Sequence, residues 1–388
     1  MLLPTKVPSI LTTTALLILR NQLSERVWGT HGVNTLAIEH PRPQRAGQDG
    51  AADLHALLAR PPATQLPQEH RPGFPIAVPR SNAITGVGVI GDSISDEYRF
   101  YAPDRAAARN WVEILAATRE VPFGDPVITT PGTARDRRFA YNWSRSCATT
   151  TSLIAQGQHA GLAAQVADVA GINLASVTVG SNDFVEILTT SRSVADMLQV
   201  MELASANLAT ILDSLLGCSS TLRIAVCTAA DLRCTPILRG AIDAGLIAPA
   251  LADAYGAGIA GFNDRLRDLI ADDSRRIVIV DINQLLAEVT GARPYVVGGL
   301  EINCLKASND PQHLFLADGF HPGTIGQCLI ANRFLAAINA GFDAGIPLLS
   351  AEEIVDIAVS VPKPSGLSLI GTAVLAILGY GRRRPRAA

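Results

Sequence analysis

Three short groups of residues in this chain have the types and order that acyl-transfer chemistry requires. Gly91-Asp92-Ser93 follows the apolar run Val87-Gly88-Val89-Ile90. Gly180-Ser181-Asn182-Asp183 follows a second such run, Ala175 to Val179. Asp318-Gly319-Phe320-His321-Pro322 comes much later. A serine that attacks a carbonyl needs a base for its proton, a group to hold the base, and donors for the oxyanion. Ser93 is the candidate nucleophile and His321 the candidate base. Asp318, three residues before His321, can share a loop with it and fix its tautomer. The backbone N–H of Ser93 and the side-chain amide of Asn182 are candidate oxyanion donors. Taken singly each group has a plain alternative: Ser93 as a helix cap, Asn182 as an Asx-turn residue, His321 as a surface histidine.

Together and in this order, the groups resemble the SGNH (GDSL-type) hydrolases, a family of esterases and lipases. The similarity runs over roughly residues 82–340. It implies a Ser93–His321–Asp318 triad, with Gly91, Asp92, Gly180 and Asp183 in supporting positions. It implies hydrolysis of carboxylic esters, including lipid, aryl and acetylated-sugar esters, without a metal or organic cofactor. A glycine supplies a third oxyanion N–H in that family. Here Cys147 stands in its place, within Tyr141-Asn142-Trp143-Ser144-Arg145-Ser146-Cys147. A cysteine keeps the N–H but adds a side chain that disfavours positive φ. This departure leaves a second reading open, a degenerate, non-catalytic domain that binds an acylated glycan or matrix polymer. A redox-regulated enzyme modified at Cys147 is a third. Asp310-Pro311-Gln312-His313 repeats the Asp-x-x-His spacing, but only His321 runs on into a helix as the family pattern does.

The elements that must position these groups alternate in type. Strands are predicted at Thr85–Ile90, Leu174–Val179, Leu222–Thr228 and Arg276–Asp281, with a fifth, weaker one near Val127–Thr130. Helices are predicted at Asn110–Thr118, Leu153–Val169, Val194–Leu216, Ala248–Asp272 and Thr324–Ala340, where apolar residues recur at three- and four-residue steps. Short apolar strands between long helices imply a parallel sheet covered on both faces. The expected architecture is a three-layer α/β/α sandwich, flavodoxin-like, around a parallel five-stranded sheet. Residues 94–110 and 291–317 are expected to form part of the rim of the site.

The chain has 388 residues, 48% hydrophobic and 17% charged, enough for one large domain with appendages. A net charge of -3 and an aromatic content of 5% give no reason to expect nucleic-acid binding. The six cysteines form no Cys-x-x-Cys pair, so no zinc site is expected. Gly86-x-Gly88-x-x-Gly91 and Gly256-x-Gly258-x-x-Gly261 fit the dinucleotide template, but the first lies within a strand and the second follows a helical pattern.

The domain is assigned to 82–345. Residues 1–81 read as an N-terminal extension, with a short apolar stretch at Ile10–Leu19 resembling a weak secretory signal and a Pro-rich linker from Pro41 to Pro79. Residues 346–388 read as a linker and tail: Val361-Pro362-Lys363-Pro364-Ser365, an apolar run from Gly366 to Tyr380, then the cluster Arg382 to Arg386. This tail resembles the PEP-CTERM sorting signal, with Lys363 where that signal usually has Glu. The resemblance implies export, membrane contact through residues 366–381, and processing by an exosortase-like enzyme at the cell surface.

Overall fold

The structure is a computed structural model, and it describes residues 83–101, 104–127, 138–169, 171–189, 193–291 and 294–360. The signal-like stretch, the Pro-rich linker and the PEP-CTERM-like tail lie outside the described residues.

Strand β1 (Val87–Gly91) is followed by α1 (Trp111–Thr118), α2 (Thr150–Ala155) and α3 (Gln158–Asp168). Then come β2 (Leu174–Thr178), α4 (Ser181–Thr189), α5 (Val194–Cys218), β3 (Arg223–Cys227), α6 (Pro236–Asp243), α7 (Pro249–Ile270) and β4 (Ile277–Val280). Helix α8 (Ile282–Gly291) leads into strands β5 (Tyr295–Val297), β6 (Leu300–Ala307) and β7 (His313–Phe315). The described chain closes with α9 (Thr324–Phe342) and α10 (Ala351–Ser360).

The main sheet is parallel, in the order β1-β2-β3-β4. Gly91 pairs with Thr178, and Cys227 with Val280, so the strand ends that carry the site lie at one edge. Helices α2, α3, α5 and α7 cover one face; α1 and α9 cover the other. Helix α5 shows why the pattern folds this way. A Ser193/Asp196 capping box starts it, and Met197, Met201, Ala204, Leu208, Ile211, Leu212 and Leu215 face the core at helical spacing. Among the described residues it is the one helix long and apolar enough to cross a membrane, yet that stripe packs on α3 and α7.

Among the described residues the parallel sheet has four strands; of the fifth, expected near Val127–Thr130, only Val127 is described. The outer edge of β1 is held instead by single bonds: Val87 N–H to Pro122 O, Val89 N–H to Tyr141 O, and Trp143 N–H to Val89 O, with one isolated bridge between Val89 and Asn142. Pro122, Gly124 and Pro126 interrupt any ladder there. The helix expected over Leu153–Val169 is two helices, broken at Gly157, whose φ is +69°. Residues 351–360, on the linker side of the expected boundary, form α10. It packs on α9 and β5 and buries Ile354 and Ala358.

Candidate active site

Ser93 sits in the turn that leaves β1. That turn is built by Asp92, whose carbonyl accepts from the N–H groups of Ser95 (3.2 Å) and Asp96 (3.0 Å). The Asp92 carboxylate accepts from Ile94 N–H at 2.9 Å. Asp92 therefore caps the turn, no regular helix starts at Ser93, and the helix-cap alternative for Ser93 does not hold. Gly91 has φ +153°, and a Cβ there would lie 2.3 Å from the Thr178 carbonyl oxygen, so only glycine lets β1 end against β2.

The His321 ring joins Ser93 from 228 positions away, with Nε2 at 3.0 Å from Ser93 Oγ. Its Nδ1 lies 2.7 Å from Asp318 Oδ2. The other carboxylate oxygen of Asp318 accepts from Phe320 N–H (2.8 Å) and His321 N–H (2.9 Å), which locks the loop that presents both side chains. With Asp318 ionised, Nδ1 carries the proton and Nε2 is the acceptor for the serine hydroxyl. All three side chains are buried. Burial lowers the His321 pKa against the opposing pull of the Asp318 charge, so the imidazole rests neutral. For Asp318, burial pushes upward, but the His321 charge and the hydrogen bonds outweigh it and the net shift is down.

Asn182 occupies the second position of α4, and its amide donates to Ala148 O at 3.1 Å. Asp183 accepts from Thr150 N–H (2.9 Å) and Thr150 Oγ1 (2.6 Å), which ties the start of α2 to the start of α4. These bonds hold the Cys147–Thr149 segment against Asn182. Cys147 adopts φ +69°, the left-handed conformation for which glycine was expected, with its thiol 3.6 Å from Ser146 Oγ. The expected side-chain obstacle to positive φ is thus absorbed by the backbone. Gly180, at φ +122°, packs where a Cβ would lie 2.9 Å from the Phe262 ring. Burial pushes the Asp92 carboxyl up to about 7 and the Asp183 carboxyl up to about 6.

His313 is not part of this arrangement. It lies on β7 beside Tyr295, Glu301 and Asn303, on a separate surface depression. Among the described residues no group of three or more His, Cys, Asp or Glu is placed to hold a metal ion.

An apolar cavity opens beside Ser93 and Asn182. It is walled by Leu285, Leu286 and Val289 of α8, Leu329 and Ile330 of α9, and Phe320 of the histidine loop. It encloses about 70 Å³, a small, apolar space. Ile94, Leu314 and Phe315 also line it, from the two segments expected at the rim. The sequence reading missed the cavity's main wall, because α8 is only ten residues long and its capping residue, Asp281, which accepts from Gln284 N–H at 2.9 Å, was assigned to the preceding strand.

Beside the site lies a group of arginines that the sequence reading did not single out. Arg105 is buried, its guanidinium 3.6 Å from the Tyr101 ring centre and 5.9 Å from that of Tyr98. The Tyr98 ring in turn stands edge-on to His321, 6.2 Å between centres. Arg138 pairs with Asp96 and donates to Tyr101 Oη at 3.1 Å.

The family model for GDSL-like lipases and acylhydrolases matches residues 87–334. No curated protein matches the chain. Among solved structures, a lipase from a goat-rumen metagenome is similar at 14% identity and a TM-score of 0.40, covering 65% of this chain and 96% of its own. Phospholipase A1 from Streptomyces albidoflavus is similar at 17% identity and a TM-score of 0.38, covering 67% and 100%. A family 3 carbohydrate esterase from Clostridium thermocellum is similar at 14% identity and a TM-score of 0.37, covering 68% and 99%.

Proposed function

The chain belongs to the GDSL-like lipase/acylhydrolase family and is a carboxylic ester hydrolase; on that premise we propose that Ser93 is its nucleophile, His321 its general base, and Asp318 the group that orients the base. Ser93 Oγ attacks the ester carbonyl as its proton passes to His321 Nε2. The N–H groups of Ser93 and Cys147 and the amide of Asn182 face the developing oxyanion. The intermediate collapses, His321 returns the proton to the departing alcohol, and an acyl-enzyme remains. Water, activated by the same base, then releases the carboxylic acid and restores Ser93. The observation that carries this reading is the unbroken relay from Ser93 Oγ to His321 (3.0 Å) to Asp318 (2.7 Å).

The apolar cavity is assigned to the acyl group. Its small, apolar volume suits a short acyl chain. The left-handed backbone at Cys147 supports catalysis over the binding-only reading, since the turn that aims its N–H is kept. We further propose that residues 1–81 and the tail after 360 serve export. The apolar run Gly366–Tyr380 would hold the protein at the membrane, and an exosortase-like enzyme would act at the preceding Val361–Ser365 segment.

The test is hydrolysis of 4-nitrophenyl acetate, butyrate and octanoate by the full chain beside its Ser93→Ala variant. The expected result is turnover lost in Ser93→Ala and highest for butyrate. Equal turnover in the variant would overturn the assignment of the nucleophile. Fractionation of cells that express the chain with and without residues 361–388 tests the tail; identical distribution of the two would remove it from the proposal.

A further inference from the structure

Among the described residues, two cations near the end of β1 lack a hydrogen-bonded partner. Arg105 is 6% exposed, Nη1 is buried without a hydrogen-bond acceptor, and no carboxylate pairs with it among the described residues. Its contacts are the faces of Tyr101 and Tyr98. The Arg145 side chain also has a buried Nη1 without an acceptor. Its own backbone N–H donates to Gly91 O at 2.9 Å, immediately before Asp92-Ser93. An aromatic face offsets only part of the cost of burying an unpaired cation. Asp96, the carboxylate within this group, is already held by Arg138 and Tyr101. The Arg105 charge reaches the reacting groups themselves, since its field bears on His321, Asp92 and Cys147.

Position gives the pair a direction. The apolar cavity extends from Ser93 toward α8 and α9, past the ends of β2 and β3. Arg145 is tied to β1, at the opposite end of the sheet order from β4. An ester whose acyl chain fills the cavity would turn its alcohol half toward the arginines.

We propose that Arg105 and Arg145 form a binding site for an anionic group, phosphate or carboxylate, carried by the alcohol half of the ester. The assignment of halves rests on the esterase reading above; the anion site itself rests on the unpaired guanidinium groups. Guanidinium suits both oxyanions, because its forked N–H groups match their paired oxygens.

Two matched substrate pairs test it: 1-butyrylglycerol against 1-butyrylglycerol 3-phosphate, and butyryl glucose against butyryl glucuronate. The wild-type chain is expected to prefer the anionic member of at least one pair by tenfold or more in kcat/KM, mainly through KM. Preference within the phosphate pair points to a phosphate-bearing alcohol, and preference within the uronate pair to an acidic sugar. Arg105→Gln and Arg145→Gln are each expected to lower that ratio at least fivefold, with Arg105→Lys retaining part of it. A wild-type ratio near one in both pairs overturns the proposal. So does an equal loss on neutral and anionic members in Arg105→Gln, which would assign the charge to the oxyanion or the fold. Calorimetric binding of sn-glycerol 3-phosphate and of glucuronate to the Ser93→Ala chain is independent of turnover. If no ester is hydrolysed, the esterase reading fails, while binding that is lost in Arg105→Gln still supports the site; absence of binding overturns it. Thermal unfolding accompanies each variant, and Arg145→Gln decides the matter if Arg105→Gln does not fold.

Discussion

Replacing Asp318 by Asn changes one atom and inverts the chemistry at His321. Asp318 Oδ1 accepts two backbone N–H groups, from Phe320 at 2.8 Å and His321 at 2.9 Å. An asparagine keeps those bonds only by turning its NH₂ toward His321 Nδ1. Nδ1 must then accept, the ring proton moves to Nε2, and Nε2 faces Ser93 Oγ as a donor. The serine has then lost its proposed base. Restoring the working tautomer requires the amide to flip, which sets its NH₂ against both backbone N–H groups. Two buried donors left without an acceptor cost about 1–3 kcal/mol each, or about 2–6 kcal/mol together. At about 1.36 kcal/mol per tenfold in rate, that is roughly one and a half to four orders of magnitude. Loss of the carboxylate charge that stabilises the imidazolium adds to this. We expect kcat for 4-nitrophenyl butyrate to fall at least about a hundredfold on these terms, with KM changed only a few-fold. Thermal unfolding near the wild-type temperature would show that the loss is chemical. A folded Asp318→Asn chain that keeps more than about a tenth of wild-type kcat would refute the reasoning from tautomer to rate.

Three further outcomes follow from the charges and backbone around Ser93. As the proposed base His321 must be neutral to act, and burial lowers its pKa, so kcat/KM should fall with falling pH at a midpoint below the ordinary value of about 6.5; an acid limb centred above neutrality in the pH–rate profile would contradict this. The Asp92 carboxyl, raised from 3.8 to about 7, holds in the folded state a proton that the unfolded chain has released, so stability declines as pH rises through that window. Asp92→Asn, which can still accept from Ile94 N–H, should therefore stabilise the protein at pH 8, by at most about 4 kcal/mol, and far less at pH 4; denaturant titrations at the two pH values give the comparison, and equal shifts would sink the argument. Cys147→Gly removes a left-handed non-glycine worth about 1–2 kcal/mol of strain but adds chain freedom worth about 0.5–1 kcal/mol. Stability should thus rise by no more than about 1.5 kcal/mol and activity change by no more than a few-fold, whereas a hundredfold gain in kcat would mean that the thiol obstructs the oxyanion hole.

How far the site was legible depended on whether local chemistry or tertiary assembly set each part. Ser93, Asn182 and His321 stood out because each follows an apolar run or precedes a helical one, with glycine or proline punctuation that fixes where the turn falls. Their convergence followed from a parallel sheet, in which strand ends share an edge. The break at Gly157 escaped because the apolar spacing continues across it while the backbone does not. Arg105 and Arg145 carried no sequence signal at all. An arginine in a polar loop reads as solvated, and only burial without a partner marks it as unusual.

The irregular edge of β1 connects these observations. A regular fifth strand would bind β1 at alternate residues and send its side chains alternately to the two faces of the sheet. The segment from Phe139 to Cys147 instead fastens to β1 at chosen points, through Tyr141 O and Trp143 N–H at Val89, and Arg145 N–H at Gly91. Between those points its backbone is free to turn. That freedom lets Ser146 N–H reach the Asp96 carboxylate at 2.7 Å and lets Cys147 take its left-handed conformation two residues after Arg145. One strap thus brings a candidate oxyanion donor and an unpaired cation to the same end of β1. A change that lengthened the strap, such as two glycines inserted after Arg138, should impair ester turnover and anion preference together. If turnover fell while the preference for the anionic substrate stayed intact, the strap would not be what couples them.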